Sequence, residues 1–101
     1  MDDKSKILDI AMNLNRVGNW AADGFTHRSK KIVIFLDNTR GYINEVTASK
    51  FDNKFGDIYK DFLNDFDRLD KEGREGPKDP LYWAEQMMTW GNILTHRSKF
   101  I

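Results

Sequence analysis

The chain has 101 residues, of which 40% are apolar, 13% aromatic and 32% charged. That length suits a single domain over residues 1–101, and the composition is typical of folded globular proteins rather than disordered ones. Sixteen Lys and Arg residues balance sixteen Asp and Glu residues, so bulk positive charge does not favour nucleic-acid binding. Because cysteine is absent, disulfides, thiolate zinc sites and cysteine nucleophiles are excluded.

The first residues and the apolar runs of the sequence set the expected location. Residues 1–4 (Met-Asp-Asp-Lys) lack the basic-then-apolar order of a signal peptide. The longest apolar run, residues 32–36, is far shorter than a membrane span. We therefore expect a soluble, cytoplasmic protein with no membrane partner.

The first predicted helix covers residues 3–22. Its apolar residues recur every three or four positions, which places them on one helix face: Ile7, Ile10, Ala11, Leu14, Val17, Gly18 and Ala21. Asp2, Asp3 or Ser5 can cap the start of this helix, and Gly24 suits the position just beyond its end.

The second predicted helix covers residues 26–48. Residues 31–36 alone resemble a buried strand, because they are rich in β-branched side chains. Over a longer stretch the apolar spacing is helical: Ile32, Phe35, Leu36, Thr39, Tyr42, Ile43 and Val46. A lone strand would also have no partner, so the helix is favoured and a strand at 31–36 is the alternative.

Two further helices are predicted on either side of a connector. Helix three covers residues 50–72 and has one apolar face: Phe51, Phe55, Ile58, Tyr59, Phe62, Phe66 and Leu69. Residues 72–80 contain two glycines and two prolines, which predicts a hydrated connector. Helix four covers residues 80–99 and begins with Asp79 as the N-cap before a proline. Its apolar face comprises Trp83, Met87, Trp90, Leu94 and Ile101.

Four amphipathic helices with short connectors predict an all-α fold. Each helix alone would be marginal in water, so the apolar faces must meet. An antiparallel, up-down four-helix bundle is the natural packing.

No catalytic, cofactor or metal site is predicted. A di-iron bundle needs Glu-x-x-His pairs, and neither His27 nor His96 has a Glu three residues before it. The row of Asp57, Asp61 and Asp65 has the spacing of a solvated helix face. Serine and histidine do not share a helix face, and a phosphate-binding loop is absent. We therefore expect a protein that is not an enzyme.

One short segment resembles a known family. Asn92 and His96, four residues apart, are similar to the Arg-Asn-x-x-x-His motif of HEPN-type helical bundles, many of which are ribonucleases. Gly91 stands where that motif has its arginine. The resemblance therefore implies a degenerate HEPN-like bundle in which ribonuclease activity is in doubt.

A five-residue sequence, Thr-His-Arg-Ser-Lys, occurs twice, at residues 26–30 and 95–99. The flanking residues do not align, so duplication of a helical hairpin is not indicated. We interpret the repeat as a coincidence or as a shared surface at helix ends.

The favoured function is that of a non-catalytic interaction or accessory subunit that forms a homodimer or binds a protein partner. Its candidate interface consists of large apolar residues outside the predicted core faces: Leu8, Met12, Trp20, Val33 and Ile34. The less favoured alternative is a nucleic-acid-linked accessory protein or degenerate HEPN-like bundle. The candidate contacts for nucleic acid are Arg28, Lys30, Lys31, His96, Arg97 and Lys99.

Overall fold

The computed structural model describes residues 2–46, 51 and 54–101. These residues form three α-helices, α1 (Asp3–Glu45), α2 (Lys54–Glu75) and α3 (Pro80–Arg97), followed by a 3₁₀ turn at Ser98–Phe100. The predicted all-α class is confirmed. No strand occurs in this part of the chain, so the helical interpretation of residues 31–36 is confirmed as well.

Helix α1 reverses direction at a single residue. Within its 43 residues, the backbone leaves helical geometry at Gly24 (φ 163°, ψ 91°). Lys6 Nζ donates a hydrogen bond of 3.3 Å to the carbonyl oxygen of Glu45, at the other end of the helix. A straight helix of this length would span about 65 Å, whereas the longest dimension of the molecule is 39 Å. Residues 3–23 are named the first arm below, and residues 25–45 the second arm.

The structure thus has three helices where the sequence predicts four. The first two predicted helices are one element, because one residue is enough to reverse the chain and no separate connector is needed. The predicted boundaries at residues 48 and 50 lie outside the described residues. Helix α2 continues to Glu75 instead of ending at residue 72, and it carries Gly73 as a buried helical residue.

Of the three candidate caps for the first helix, Asp2 is the one that caps it, and the predicted cap at Asp79 is confirmed. The Asp2 carboxylate accepts a hydrogen bond of 2.8 Å from the Ser5 backbone N–H, and this bond lowers the pKa of Asp2. The Asp79 carboxylate accepts one of 3.1 Å from the Tyr82 N–H, and Pro80 begins α3. Each carboxylate satisfies a backbone donor that the helix itself leaves without a partner.

The core follows the predicted apolar faces. All seven residues on the predicted apolar face of the first helix are buried, and so are most residues on the predicted faces of the other helices. Along α2, the rings of Phe55, Tyr59, Phe62 and Phe66 follow one another with centroid distances of 5.6–5.8 Å. Ile101 departs from the prediction, since it is 40% exposed. The 3₁₀ turn after Arg97 changes the helical phase and carries Ile101 away from the core face.

The first arm of α1 packs closely against α3, in the opposite direction. A Cβ at Gly18 would lie 3.0 Å from the carbonyl oxygen of Ala84, and a Cβ at Gly91 would lie 2.8 Å from the side chain of Asn15. The two backbones therefore approach more closely than larger residues would allow. This antiparallel contact places the end of α3 beside the beginning of the first arm.

Replacing Phe62 by alanine should test the core assignment. Phe62 is fully buried between aromatic neighbours, so we expect Phe62→Ala to lower the free energy of unfolding by about 3–5 kcal/mol. Urea denaturation measures this change. Lys60→Ala, on the exposed face of the same helix, is the control and should change stability by less than about 0.5 kcal/mol. A loss below about 1 kcal/mol for Phe62→Ala would contradict the packing of α2.

Tyr59 should give the core a dependence on alkaline pH. Its side chain is 1% exposed, and its hydroxyl has no hydrogen-bond partner among the described residues. Burial raises the pKa of Tyr59 to about 12 from an ordinary value of 10.0. Because the unfolded chain loses this proton first, the contribution of Tyr59 to stability is complete below pH 10 and is lost between pH 10 and about 12.

The variant Tyr59→Phe should therefore lose less stability between pH 10 and 12 than the unmodified protein. Below pH 10 it should be as stable or more stable, since it removes a buried polar atom that has no partner. Urea denaturation at pH 8, 10, 11 and 12 compares the two proteins. Equal pH dependence of both would show that Tyr59 ionises as readily in the folded chain as in the unfolded one.

Candidate interaction surface

A shallow groove, named the α1–α2 groove, lies between the second arm of α1 and the end of α2. Its volume is about 630 Å³, and most of its lining is apolar. Residues three or four positions apart on the second arm form one wall, because they share a helix face. The lining residues are Phe25, Ser29, Lys30, Val33, Ile34, Gly73, Arg74, Glu75 and Gly76.

The floor of the groove is held by Trp83 of α3. Its indole Nε1 donates a hydrogen bond of 2.9 Å to the carbonyl oxygen of Leu69, and its ring meets the Phe25 ring edge to face at 5.5 Å. A Cβ at Gly73 would lie 2.6 Å from Cζ2 of this indole. The lack of a side chain at Gly73 therefore lets α2 lie directly against Trp83.

One rim of the groove is fixed by ion pairs between the second arm and α2. Arg74 donates hydrogen bonds to the carboxylates of Asp37 and Asp70, and these bonds raise the pKa of Arg74. Asp70 is only 14% exposed and also accepts a hydrogen bond of 3.2 Å from Arg40. Ion pairs therefore join the second arm to α2 in both senses, with an acid of the second arm in one and a base in the other.

Ile34 is the most exposed apolar residue of the groove. Its side chain is 56% exposed, and Val33 beside it is half-buried. Leu8 and Met12, 36% and 45% exposed, lie on the first arm of α1 and do not line the groove. Among the predicted interface residues, the structure therefore brings Val33 and Ile34 together in one groove and leaves Leu8 and Met12 elsewhere.

Trp20, the fifth predicted interface residue, is half-buried by its own chain. Its ring meets that of Phe35 edge to face at 4.8 Å, and Lys31 Nζ lies 4.7 Å from its centroid. The contact joins the two arms of α1. Much of the Trp20 surface is thus covered without a partner.

Three apolar residues at the surface lie outside the predicted interface. Phe25 lines the groove, while Leu81 and Tyr82 are 62% and 59% exposed in the first turn of α3. The helical spacing does indicate that Leu81 and Tyr82 are exposed, because they lie two and one positions before Trp83 and so face away from the predicted core. For Phe25 no local pattern was available, since its partner Trp83 lies far along the chain.

The six residues assigned to nucleic-acid contact fall into two groups. Arg28, Lys30 and Lys31 follow the reversal of α1, and His96, Arg97 and Lys99 lie at the end of α3. Because Phe25 contacts Trp83 near the start of α3, about the length of α3 separates the groups, roughly 27 Å. Arg28 also forms an ion pair of 2.8 Å with Asp23. The structure does not join the six residues into one basic surface.

The two copies of the repeated sequence share one local hydrogen bond. Ser29 Oγ donates to the carbonyl oxygen of Thr26 at 3.3 Å, and Ser98 Oγ donates to that of Thr95 at 2.7 Å. The first copy lies near the start of the second arm and the second copy at the end of α3, so they do not form one surface. The similarity is therefore local.

The residues of the HEPN-like segment lie on α3 in different surroundings. Asn92 and His96 are exposed, whereas Gly91 is buried against Asn15. An arginine at residue 91 would overlap with the first arm of α1. The departure from the motif therefore has a packing reason.

Of the acidic row on α2, Asp65 is tied to its neighbours. Asp65 accepts a hydrogen bond of 2.9 Å from Trp90 Nε1 and lies 3.7 Å from Arg68. Within residues 2–46, 51 and 54–101, no three His, Asp or Glu side chains are grouped so that they could hold a metal ion. The helices described for this chain also lack the combined length and apolar character that crossing a membrane requires.

Comparison with known proteins adds no relative: the chain matches no protein-family model, no curated protein sequence and no solved structure.

Alanine at Gly73 should disturb the groove floor. The added Cβ would overlap with the Trp83 ring and lie 3.1 Å from Leu36 Cδ1. We expect Gly73→Ala to lower the free energy of unfolding by about 1–3 kcal/mol. Gly41→Ala is the control, because a Cβ there meets no atom within 4 Å, and it should raise stability by up to about 1 kcal/mol. Thermal or urea denaturation measures both variants. If Gly73→Ala were stabilised as Gly41→Ala is, the result would contradict the tight packing of α2 on Trp83.

Proposed function

We propose that the protein is a non-catalytic interaction subunit that forms a homodimer through the α1–α2 groove. One observation carries this proposal: Ile34 remains 56% exposed beside an apolar groove whose floor is fixed by Trp83. A fixed floor favours binding, because less side-chain freedom is lost when a partner docks.

Apolar burial supplies the driving force. Complete burial of an isoleucine or valine side chain stabilises by about 1.5–3 kcal/mol, and Ile34 and Val33 still expose part of their surface. The net charge of zero gives two copies no overall repulsion. The groove is small compared with a standard interface, so we expect a dissociation constant in the micromolar range.

Charge on the walls of the groove favours a second copy as the occupant. Lys30 lines the wall formed by the second arm, and Glu75 lines the opposite wall. Both are exposed, and neither forms an ion pair with a described residue. In a two-fold symmetric dimer, each partner contributes the same patch. Lys30 of each copy would then face Glu75 of the other, around a centre formed by the two Ile34 side chains.

If the two arms of α1 are counted as separate helices, the described part of the chain has four helical segments. The first arm is antiparallel to the second arm and to α3, which supports an up-down arrangement of four helical segments. We propose that this four-helix bundle acts in the cytoplasm and presents the groove on its outer face. A nucleic-acid interface is the weaker alternative, because the six basic residues lie at two ends of the molecule.

A charge at Ile34 should disrupt the dimer. In Ile34→Glu, two carboxylates would be buried next to each other at the centre of the interface, which opposes association. We expect the unmodified protein to be dimeric at high micromolar concentration and the variant to be monomeric, with unchanged helicity. Sedimentation velocity and far-UV circular dichroism measure both properties.

Leu81→Glu provides the matched control for the Ile34 variant. Leu81 is 62% exposed, close to the 56% of Ile34, but lies on α3 outside the groove, so this variant should remain dimeric. An unmodified protein that is monomeric at high micromolar concentration would overturn the proposal. A loss of dimer in Leu81→Glu but not in Ile34→Glu would move the interface to α3.

A further inference from the structure

The reversal of α1 depends on one residue that solvent reaches. Asp23 is exposed, and a depression of about 550 Å³ opens beside Gly24. A Cβ at Gly24 would meet a single side chain, that of His27, at 3.7 Å. Neither crowding nor a covering element therefore holds Gly24 in its non-helical conformation.

We propose that Gly24 is a hinge through which two copies of this chain exchange the first arm of α1. When residue 24 becomes helical, α1 is straight and its first arm points away from its own α3. That arm then packs against the α3 helix of a second copy, and the first arm of the second copy packs against the α3 helix of the first. The exchanged segment is the first arm of α1, which does not line the α1–α2 groove.

The contacts between the two arms all re-form in the exchanged dimer. Within one chain the arms are antiparallel, as the contacts Lys6–Glu45 and Trp20–Phe35 require. Two straight α1 helices related by a two-fold axis near residues 26 and 27 are also antiparallel. Lys6 of one copy then lies beside Glu45 of the other, and Trp20 lies beside the other Phe35. The core that the monomer buries is buried again, between two chains.

The contact around the two-fold axis joins opposite charges from the two copies. The register of the arms places residue 23 of one copy opposite residue 30 of the other, so Asp23 faces Lys30 twice. In the monomer, Asp23 is instead paired with Arg28. Five residues apart on a straight helix, Asp23 and Arg28 point in different directions, so straightening α1 frees Asp23 for the second copy.

Alanine at the hinge tests this proposal. Alanine favours helical geometry over glycine by about 1 kcal/mol, and each exchanged dimer contains two hinges. We expect Gly24→Ala to tighten dimerisation about 30-fold, measured by sedimentation equilibrium after incubation at high concentration. Gly41→Ala is the matched control, because it makes the same change in the second arm, away from the hinge, where a Cβ meets no neighbour. It should leave dimerisation unchanged.

A second variant, designed to prevent the exchange, keeps the test decisive if Gly24→Ala folds poorly. Insertion of Gly-Ser-Gly after Gly24 lengthens the reversal and interrupts any straight helix. We expect this variant to lose the exchanged dimer completely. The two alanine variants and the insertion variant all carry Ile34→Glu as well, so that association through the α1–α2 groove does not contribute.

Cross-linking identifies which chain supplies the first arm. The protein contains no cysteine, so Lys6→Cys with Glu45→Cys gives one pair that a short bismaleimide can join. The cysteine pair is introduced into Gly24→Ala, and the dimer fraction is isolated and cross-linked. If the first arms are exchanged, the intact mass of this fraction should be that of covalent dimers. Cross-links within single chains only, or equal dimerisation of Gly24→Ala and Gly41→Ala, would overturn the hinge proposal. Neither result bears on the groove, which the Ile34→Glu and Leu81→Glu variants test separately.

Discussion

The seating of the Trp83 indole against Gly73 is the contact on which the arrangement of the three helices depends. The ring lies in α3, its Nε1 reaches the backbone of α2 at Leu69, and its edge meets Phe25 of α1. One side chain therefore fixes the positions of all three helices at this end of the molecule. A glycine is required at residue 73 because the indole occupies the volume of any side chain there.

This contact also joins the interior to the surface. The same Trp83 that completes the core packs beneath Phe25 and Gly73, two residues that line the α1–α2 groove. Arg74, the next residue after Gly73, ties the rim to Asp37 and Asp70. The shape of the groove is thus set by buried packing on one side and by ion pairs on the other. Contacts within the chain therefore hold this apolar surface in place.

Local patterns predicted the helices well and their arrangement less well. The apolar face of the first arm, the buried Phe62 and the caps at Asp2 and Asp79 depend on spacing within a few turns, and the structure confirms them. The groove depends instead on Phe25 meeting Trp83, on Gly73 lying beneath it, and on the reversal at Gly24. Those contacts join distant residues, so no spacing rule indicates them. Of the predicted interface, Ile34 is exposed as expected, whereas Trp20 is half-covered by Phe35 and Lys31.

The hairpin formed by α1 also has a consequence for the order of folding. Contacts such as Trp20–Phe35 close a short loop of chain, whereas the contact between Phe25 and Trp83 closes a much longer one. Shorter loops lose less chain entropy on closing and form sooner. A newly made chain therefore pairs its own two arms before α3 arrives, and Trp83 docks onto a hairpin that already exists. Nascent chains are in this way directed to the monomeric arrangement first.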